Sequence, residues 1–229
     1  MKKYELTNEF ITVFDKKLYR IKALADFSNV KAGELGGYIE KEDNLSHIGD
    51  AWVYDSARVY DSACVYGNAR VYDSACVYGN ARVCGKAWVY DSACVYDSAC
   101  VYGNARVYDN AWVCGNARVY GDARVYGNAW VYGNAWVCDS ACVCDNACVC
   151  GKADYLTIGP IGSRDDVVTF MRNEDNKIIV KCGYFTGNID EFIDKVKTTH
   201  GDNEHGRAYL QATEIAKIRI KPDKEASKG

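Results

Sequence analysis

The stretch Ala51-Trp52-Val53-Tyr54-Asp55-Ser56-Ala57-Arg58-Val59-Tyr60-Asp61-Ser62-Ala63-Cys64-Val65-Tyr66 decides the fold. Val recurs in it every six residues, and the beat continues without a skip to Val149, seventeen times in all. Ala stands two residues before each Val, from Ala51 to Ala147. The unit is Gly/Asp, then Asn/Ser/Asp/Lys, then Ala-x-Val-Tyr/Cys, where x is Arg, Cys or Trp. Ala-x-Val-Tyr alternates with period two, so Ala and Val share one face of a strand and x and Tyr the other. An unpartnered buried Arg costs several kcal/mol, so Ala and Val are the inward pair. The Gly/Asp-Asn/Ser pair is turn chemistry, tolerant of left-handed backbone or able to bond its own backbone. A four-residue strand and a two-residue corner, repeated, wind into a solenoid.

Stacking the array in lines of eighteen gives the corners separate identities. Positions 55, 73, 91, 109, 127 and 145 read Asp except for Gly127, whereas 49, 67, 85, 103, 121 and 139 read Gly except for Asp139. Three strands per coil follow, and seventeen units make nearly six coils. At about 4.8 Å per rung the prism is roughly 27–30 Å long. Each buried Val contributes about 1.5–3 kcal/mol against an ordering cost of about 1–2 kcal/mol per residue, so rung hydrogen bonds and end caps must supply the rest.

An aliphatic residue every six positions with a small residue two before it resembles the hexapeptide repeat of left-handed parallel β-helices. The resemblance implies the handedness and an all-β, three-sided solenoid of about six coils spanning residues 43–156. The flanks extend it. Leu35-Gly36-Gly37-Tyr38-Ile39-Glu40-Lys41-Glu42 is similar to uncharacterised bacterial hexapeptide-repeat proteins, some of which carry a transferase label. The segments Ile158-Gly159-Pro160-Ile161-Gly162-Ser163-Arg164, Cys182-Gly183-Tyr184-Phe185 and His200-Gly201-Asp202-Asn203 resemble a module of phage and prophage proteins. These likenesses imply a phage or mobile-element setting.

Outside the array the composition becomes ordinary. Residues 1–42 form an N-terminal β cap: Glu9–Phe14 and Leu18–Ile21 read as a hairpin around Asp15-Lys16-Lys17. Leu45 and His47 take the Ala and Val slots of a first imperfect unit. Residues 157–222 read as a small C-terminal α+β module of ββαα order that closes the other end. Its hairpin pairs Val167–Met171 with Lys177–Lys181, and Asn188 with Glu191 caps a first helix. A second helix, Gly206 to Ile218, turns Ala208, Ala212 and Ile215 inward. Residues 223–229 are expected to be a flexible tail.

Of the 48% hydrophobic residues, 18 Tyr and 12 Cys supply a large part, and the net charge is −3. No apolar run approaches the roughly 18 residues of a membrane helix. The N-terminus lacks a secretory apolar stretch, so the expectation is a cytoplasmic protein without membrane contact. Within residues 49–150 six Arg and one Lys stand against ten Asp, which argues against nucleic acid as partner. Hexapeptide acyltransferases use a histidine base between subunits, but His47, His200 and His205 all lie outside the regular array. An acyltransferase-like trimer is therefore the alternative, and no catalytic residue is assigned.

Eleven of the 12 Cys occupy x or Tyr slots of the array. Cys142 with Cys144 and Cys148 with Cys150 belong to different faces, so they are not expected to share one ion. Cys76 and Cys94 are stacked neighbours with poor disulfide geometry. Reduced surface thiols are expected, with no metal and no cofactor. Arg, Cys and Trp in slot x are single transitions apart in the genetic code, as are Tyr and Cys, so the repeat reads as one expanded at the DNA level.

One face carries the binding expectation. Its columns are Trp52, Arg70, Trp88, Arg106 and Arg124 beside Tyr54, Tyr72, Tyr90, Tyr108 and Tyr126. Tyr, Trp and Arg are enriched at protein interfaces, which suits a protein partner or a homo-oligomer. The same tyrosines also suit a ladder that only shields the rungs. Both readings stand at this point.

Overall fold

The computed structural model describes residues 2–151 and 153–221 of the chain, so the tail expected at 223–229 lies outside the described residues. Each x-Val pair of the array is a short parallel strand, from Trp52–Val53 to Cys148–Val149. Partners lie eighteen residues apart, as in Trp88↔Arg106 and Val89↔Val107. Three sheets result, one per face of a β-solenoid of about six coils. All seventeen valines are fully withdrawn from solvent, and the seventeen alanines with them. Trp, Arg and Tyr could not enter so narrow a prism, so the alternation of small and bulky residues dictates which face turns in.

Rung bonds follow the same period. The coil amides donate to the next coil, as in Arg106 N–H to Ala123 O at 2.9 Å and Tyr108 N–H to Val125 O at 3.0 Å. Corners are β-turns, closed for instance by Ala57 N–H to Tyr54 O at 3.0 Å. The first corner residue has positive φ, 50° at Asp55 and 73° at Gly103, which explains the restriction to Asp and Gly. The Asp carboxylates were expected to bond their own turns. Instead they accept from the corner amide of the adjacent coil: Asp109 N–H to Asp91 at 3.2 Å and Gly127 N–H to Asp109 at 3.1 Å. The corner column thus ties coil to coil.

At the lower mouth an antiparallel hairpin, Tyr4–Val13 with Lys16–Ala23, leads through Leu35–Ile39 into one sheet of the prism. The turn is Phe14-Asp15, both with positive φ, so Lys16 and Lys17 are strand residues rather than turn residues. A Cβ on Gly36 would sit 2.5 Å from Val53 O, and one on Gly37 would sit 2.6 Å from Ala57 O. The Gly-Gly pair is therefore a close backbone crossing over the mouth. A 3-10 turn at Glu42–Asn44 shifts the incoming register by two residues. Leu45 consequently stands opposite Val65 and fills the valine column instead of the Ala slot, and His47 leaves the coil to stack on Tyr4 with centroids 4.3 Å apart.

At the upper mouth a four-stranded antiparallel sheet runs Tyr155–Ile161, Asp166–Arg172, Ile178–Cys182, Phe185–Asn188. The first and last of these strands add to the expected ββαα order, and Tyr155–Ile161 straddles the boundary placed at 156/157. Met171 is fully buried and continues the solenoid core. Arg172 pairs with Asp154 at 2.9 Å, both withdrawn from solvent, and Asp154 also accepts the amides of Cys150 and Gly151 at 2.9 and 2.7 Å. The last coil thereby finds partners for the backbone that no seventh coil satisfies.

Helices α1 (Ile189–His200) and α2 (Glu204–Arg219) cover the sheet's other side. Asn188 accepts from the amides of Asp190 and Glu191 while Glu191 accepts from the Asn188 amide, a reciprocal cap. In α2 the buried residues are Gly206, Tyr209, Ala212, Thr213 and Ala216. Ile215, expected inward, is half exposed, because Tyr209 reaches Phe192 and sets the helix rotation by its bulk.

Candidate functional site

The face that begins at Trp52 holds its x column in one sheet with the order Trp52, Arg70, Trp88, Arg106, Arg124, Cys142. Trp52 is not part of an exposed strip. It is 0% exposed, enclosed by Phe27 at 5.3 Å and Tyr4 at 6.0 Å between ring centroids. It is an apolar plug of the first coil, and its indole nitrogen has no hydrogen-bond partner. The loop after the first hairpin accounts for this burial. It also reaches Tyr54, whose hydroxyl donates to Asn29 at 3.2 Å, and Arg70, which donates to Ser28 at 3.1 Å. Nothing in the repeat itself signals that cover; Phe27 and Asn29 sit in a segment with no periodicity.

Higher up, the face opens. Arg70 and Arg106 flank the Trp88 ring at 5.8 and 4.9 Å from its centroid. Beside them Tyr90, Tyr108 and Tyr126 stack in parallel at 4.9 Å steps. Tyr72 meets Trp88 edge-on at 6.0 Å and Tyr90 edge-on at 6.5 Å, so the parallel stack restarts at Tyr90. Burial pushes the Tyr108 phenol up to about 12 and raises that of Tyr90. Arg106 and Arg124 are exposed, Trp88 and the three tyrosines partly so. A shallow groove runs along the adjoining corner, lined by Arg70, Lys86, Trp88, Asn104, Arg106 and Asp122 among others. Beyond Tyr126 the C-terminal sheet closes in: Thr169 accepts the Cys142 amide at 3.2 Å, and Cys144 is fully buried. The open window is therefore Trp88 to Tyr126, framed by the two end modules.

The other faces differ. Trp112 and Trp130 stack at 5.1 Å on the second face and are 38% and 49% exposed, more so than Trp88. Trp136 lies on the third face with Arg118 over its ring at 5.3 Å. Tyrosine ladders also line these faces, as in Tyr60–Tyr78–Tyr96 at 5.0 Å steps. The ladder is thus a property of every face, whereas a Trp held between two Arg occurs on the first.

All twelve cysteines are free thiols. The expectation of surface thiols fails at Cys144, which the C-terminal sheet covers, and at Cys76, which Arg58 and the tyrosine ladder crowd. Cys76 is pulled down to about 7, first by a hydrogen bond from Cys94 and then by the Arg58 charge, and Cys94 is correspondingly raised. Cys142 and Cys148 stand in different sheets. Among the described residues no group of three or more His, Cys, Asp or Glu side chains is arranged to hold a metal ion. His200 and His205 lie 6.2 Å apart in the C-terminal module, and His47 accepts the Lys3 amide at 3.2 Å in the N-terminal one. Among the described residues no helix is long and apolar enough to cross a membrane.

No curated protein matches the chain. One family model does, described as the YdcK beta solenoid repeat, over residues 63–77, 75–96, 99–115, 111–125, 117–133 and 123–139. Those segments cover about a third of the chain and lie wholly within the coils. Repeat pattern and strand register agree that residues 51–149 form a β-solenoid, and within it residues 63–96 and 99–139 are similar to the YdcK beta solenoid repeat.

Proposed function

We propose that this chain is a non-enzymatic scaffold that binds a protein partner, or a second copy of itself, through Trp88, Tyr90, Arg106, Tyr108, Arg124 and Tyr126. The observation that carries this reading is the Trp88 ring held between Arg70 and Arg106 beside a parallel tyrosine stack. These large side chains are immobilised by one another before any partner arrives. Association over such a surface loses little rotamer entropy, and Trp, Tyr and Arg are the side chains that anchor interfaces. The corner groove adds Lys86 and two Arg against Asp50 and Asp122, a small positive excess that a partner segment offering carboxylates next to apolar groups complements. Resemblance of the flanks to phage and prophage proteins supports a mobile-element setting, and a cytoplasmic location accords with it.

The test is sedimentation equilibrium of the full chain, followed by binding to whichever component co-purifies with it. Replacing Trp88 and Arg106 together by Ala should weaken association by about 2–4 kcal/mol with an unchanged circular dichroism spectrum. Unchanged association in that variant, with loss in Trp112→Ala/Trp130→Ala, moves the interface to the second face. Saturable acetyl-CoA binding, abolished by His47→Ala or His200→Ala, replaces the scaffold by an acyltransferase-like trimer.

A further inference from the structure

Of the vertical columns on the prism, the x column of the second face is the one that sets two cysteines directly above one another, Cys76 against Cys94. The parallel register fixes their Cα atoms at one rung repeat. Both thiols take the same local conformation, since each bonds the carbonyl of the Ser two residues earlier, Ser74 at 3.7 Å and Ser92 at 3.8 Å. Equal conformations on adjacent rungs set the two sulfurs one above the other within hydrogen-bond reach, and both remain free thiols. Two metal–sulfur bonds of roughly 2.3 Å laid end to end span about 4.6 Å, so the two sulfurs need part only a little to admit an ion between them. The register thus places two thiols where their thiolates could take an ion between them.

The surroundings fit the same chemistry. Arg58 is the register neighbour of Cys76 and Trp112 that of Cys94, so a cation closes one end of the column and an indole the other. Tyr78 and Tyr96 stack alongside at 5.0 Å. No third sulfur, imidazole or carboxylate joins the two thiols among the described residues. A metal demanding four ligands is therefore poorly served, whereas a soft ion satisfied by two sulfurs is well served.

We propose that Cys76 and Cys94 form a two-coordinate site for a soft monovalent cation of the Cu(I) class. Two thiols and one Cu(I) give a linear bis-thiolate of charge −1 and release two protons, and the Arg58 guanidinium balances the charge that remains. No oxidation occurs in this step. The site is independent of the Trp88 face and stands or falls apart from it.

The experiment is an anaerobic titration of the reduced full chain with Cu(I) against a chromophoric Cu(I) chelator, with circular dichroism to confirm that each variant is folded. The wild-type chain should hold one equivalent that resists the chelator, with two sulfur neighbours by X-ray absorption. Cys76→Ser and Cys94→Ser should each lose that equivalent. Cys100→Ser, which removes an x-slot thiol with no cysteine on the rung above or below, should retain it. Arg58→Gln should weaken it about tenfold. Retention in Cys94→Ser, equal loss in Cys100→Ser, or a third sulfur in the absorption spectrum would each overturn the site.

Discussion

Val101 in a middle coil and Met171 at the upper mouth are equally hidden from solvent, yet they are hidden by different means. Val101 is buried because Val83 and Val119 stand on the rungs either side of it, each eighteen residues away. Met171 is buried because a separately folded antiparallel sheet lays it over the end of the prism. The array repeats one solution, and the ends each need a singular one. The solenoid's coherence is therefore distributed, while its termination rests on a few side chains with no second copy.

Val101→Asp should have the largest effect of any single change. It places an unpartnered carboxylate among methyl groups, which costs more than one coil contributes. Cooperative loss of the β signal in circular dichroism is expected. Met171→Asp should instead release the C-terminal sheet and leave the coils folded, seen as amide exchange confined to residues beyond 140. If both variants unfold everything, the two regions are one cooperative unit and the contrast fails.

Next come the singular cap residues. Arg172→Ala strands the buried Asp154 carboxylate, and a loss of about 3–5 kcal/mol is expected in chemical unfolding. Trp52→Ala empties the plug of the first coil, with a similar expected loss of about 3–5 kcal/mol. A loss under about 1 kcal/mol at Trp52 would mean that the loop carrying Phe27 does not hold the first coil shut.

The sequence made the array legible and the caps only partly so. Seventeen Ala-x-Val units leave no choice of period, face or register, and the observed sheets follow that reading rung for rung. The hairpin strands and the Asn188 cap were also legible, through alternation and capping chemistry. Three features were not. Burial of Trp52 depends on Phe27, which lies in an aperiodic loop. The two-residue shift that sends Leu45 into the valine column depends on a 3-10 turn that no local signal announces. Ile215 faces outward because Tyr209, not the aliphatic residues, packs against Phe192. In the candidate site, column membership could be read directly, while the extent of the open window could not, since both ends are set by non-repeating segments.

Smaller effects probe the coil-to-coil ties. Asp109→Ala removes the acceptor for the Gly127 amide and puts a Cβ-bearing residue without a carboxylate at φ 57°, so about 1–2 kcal/mol is expected. Asp109→Gly keeps the backbone and loses only the bond, and about half that loss should appear. Equal losses would assign the whole effect to the hydrogen bond.

The tyrosine ladder supplies the mildest test, at alkaline pH. Burial first of all raises Tyr60, Tyr78 and Tyr108 to about 12. Their unfolded phenols ionise near 10, so between about pH 10 and 12 the folded state holds more protons than the unfolded one. The stability they contribute is complete below pH 10 and is lost as pH rises toward 12. Tyrosinate absorbance should lag behind that of the unfolded chain over this window, and coincident titrations would show that the ladder does not exclude water.

The most direct test of the scaffold reading is a pair of photo-crosslinking residues, one at Asn104 beside Arg106 and one at Trp130, in the chain expressed in its own host. Irradiation should give a discrete protein adduct from position 104, abolished by Trp88→Ala, and none from position 130. An adduct from position 130 alone, or none from 104, would contradict the claim that the Trp88–Tyr126 face carries the function.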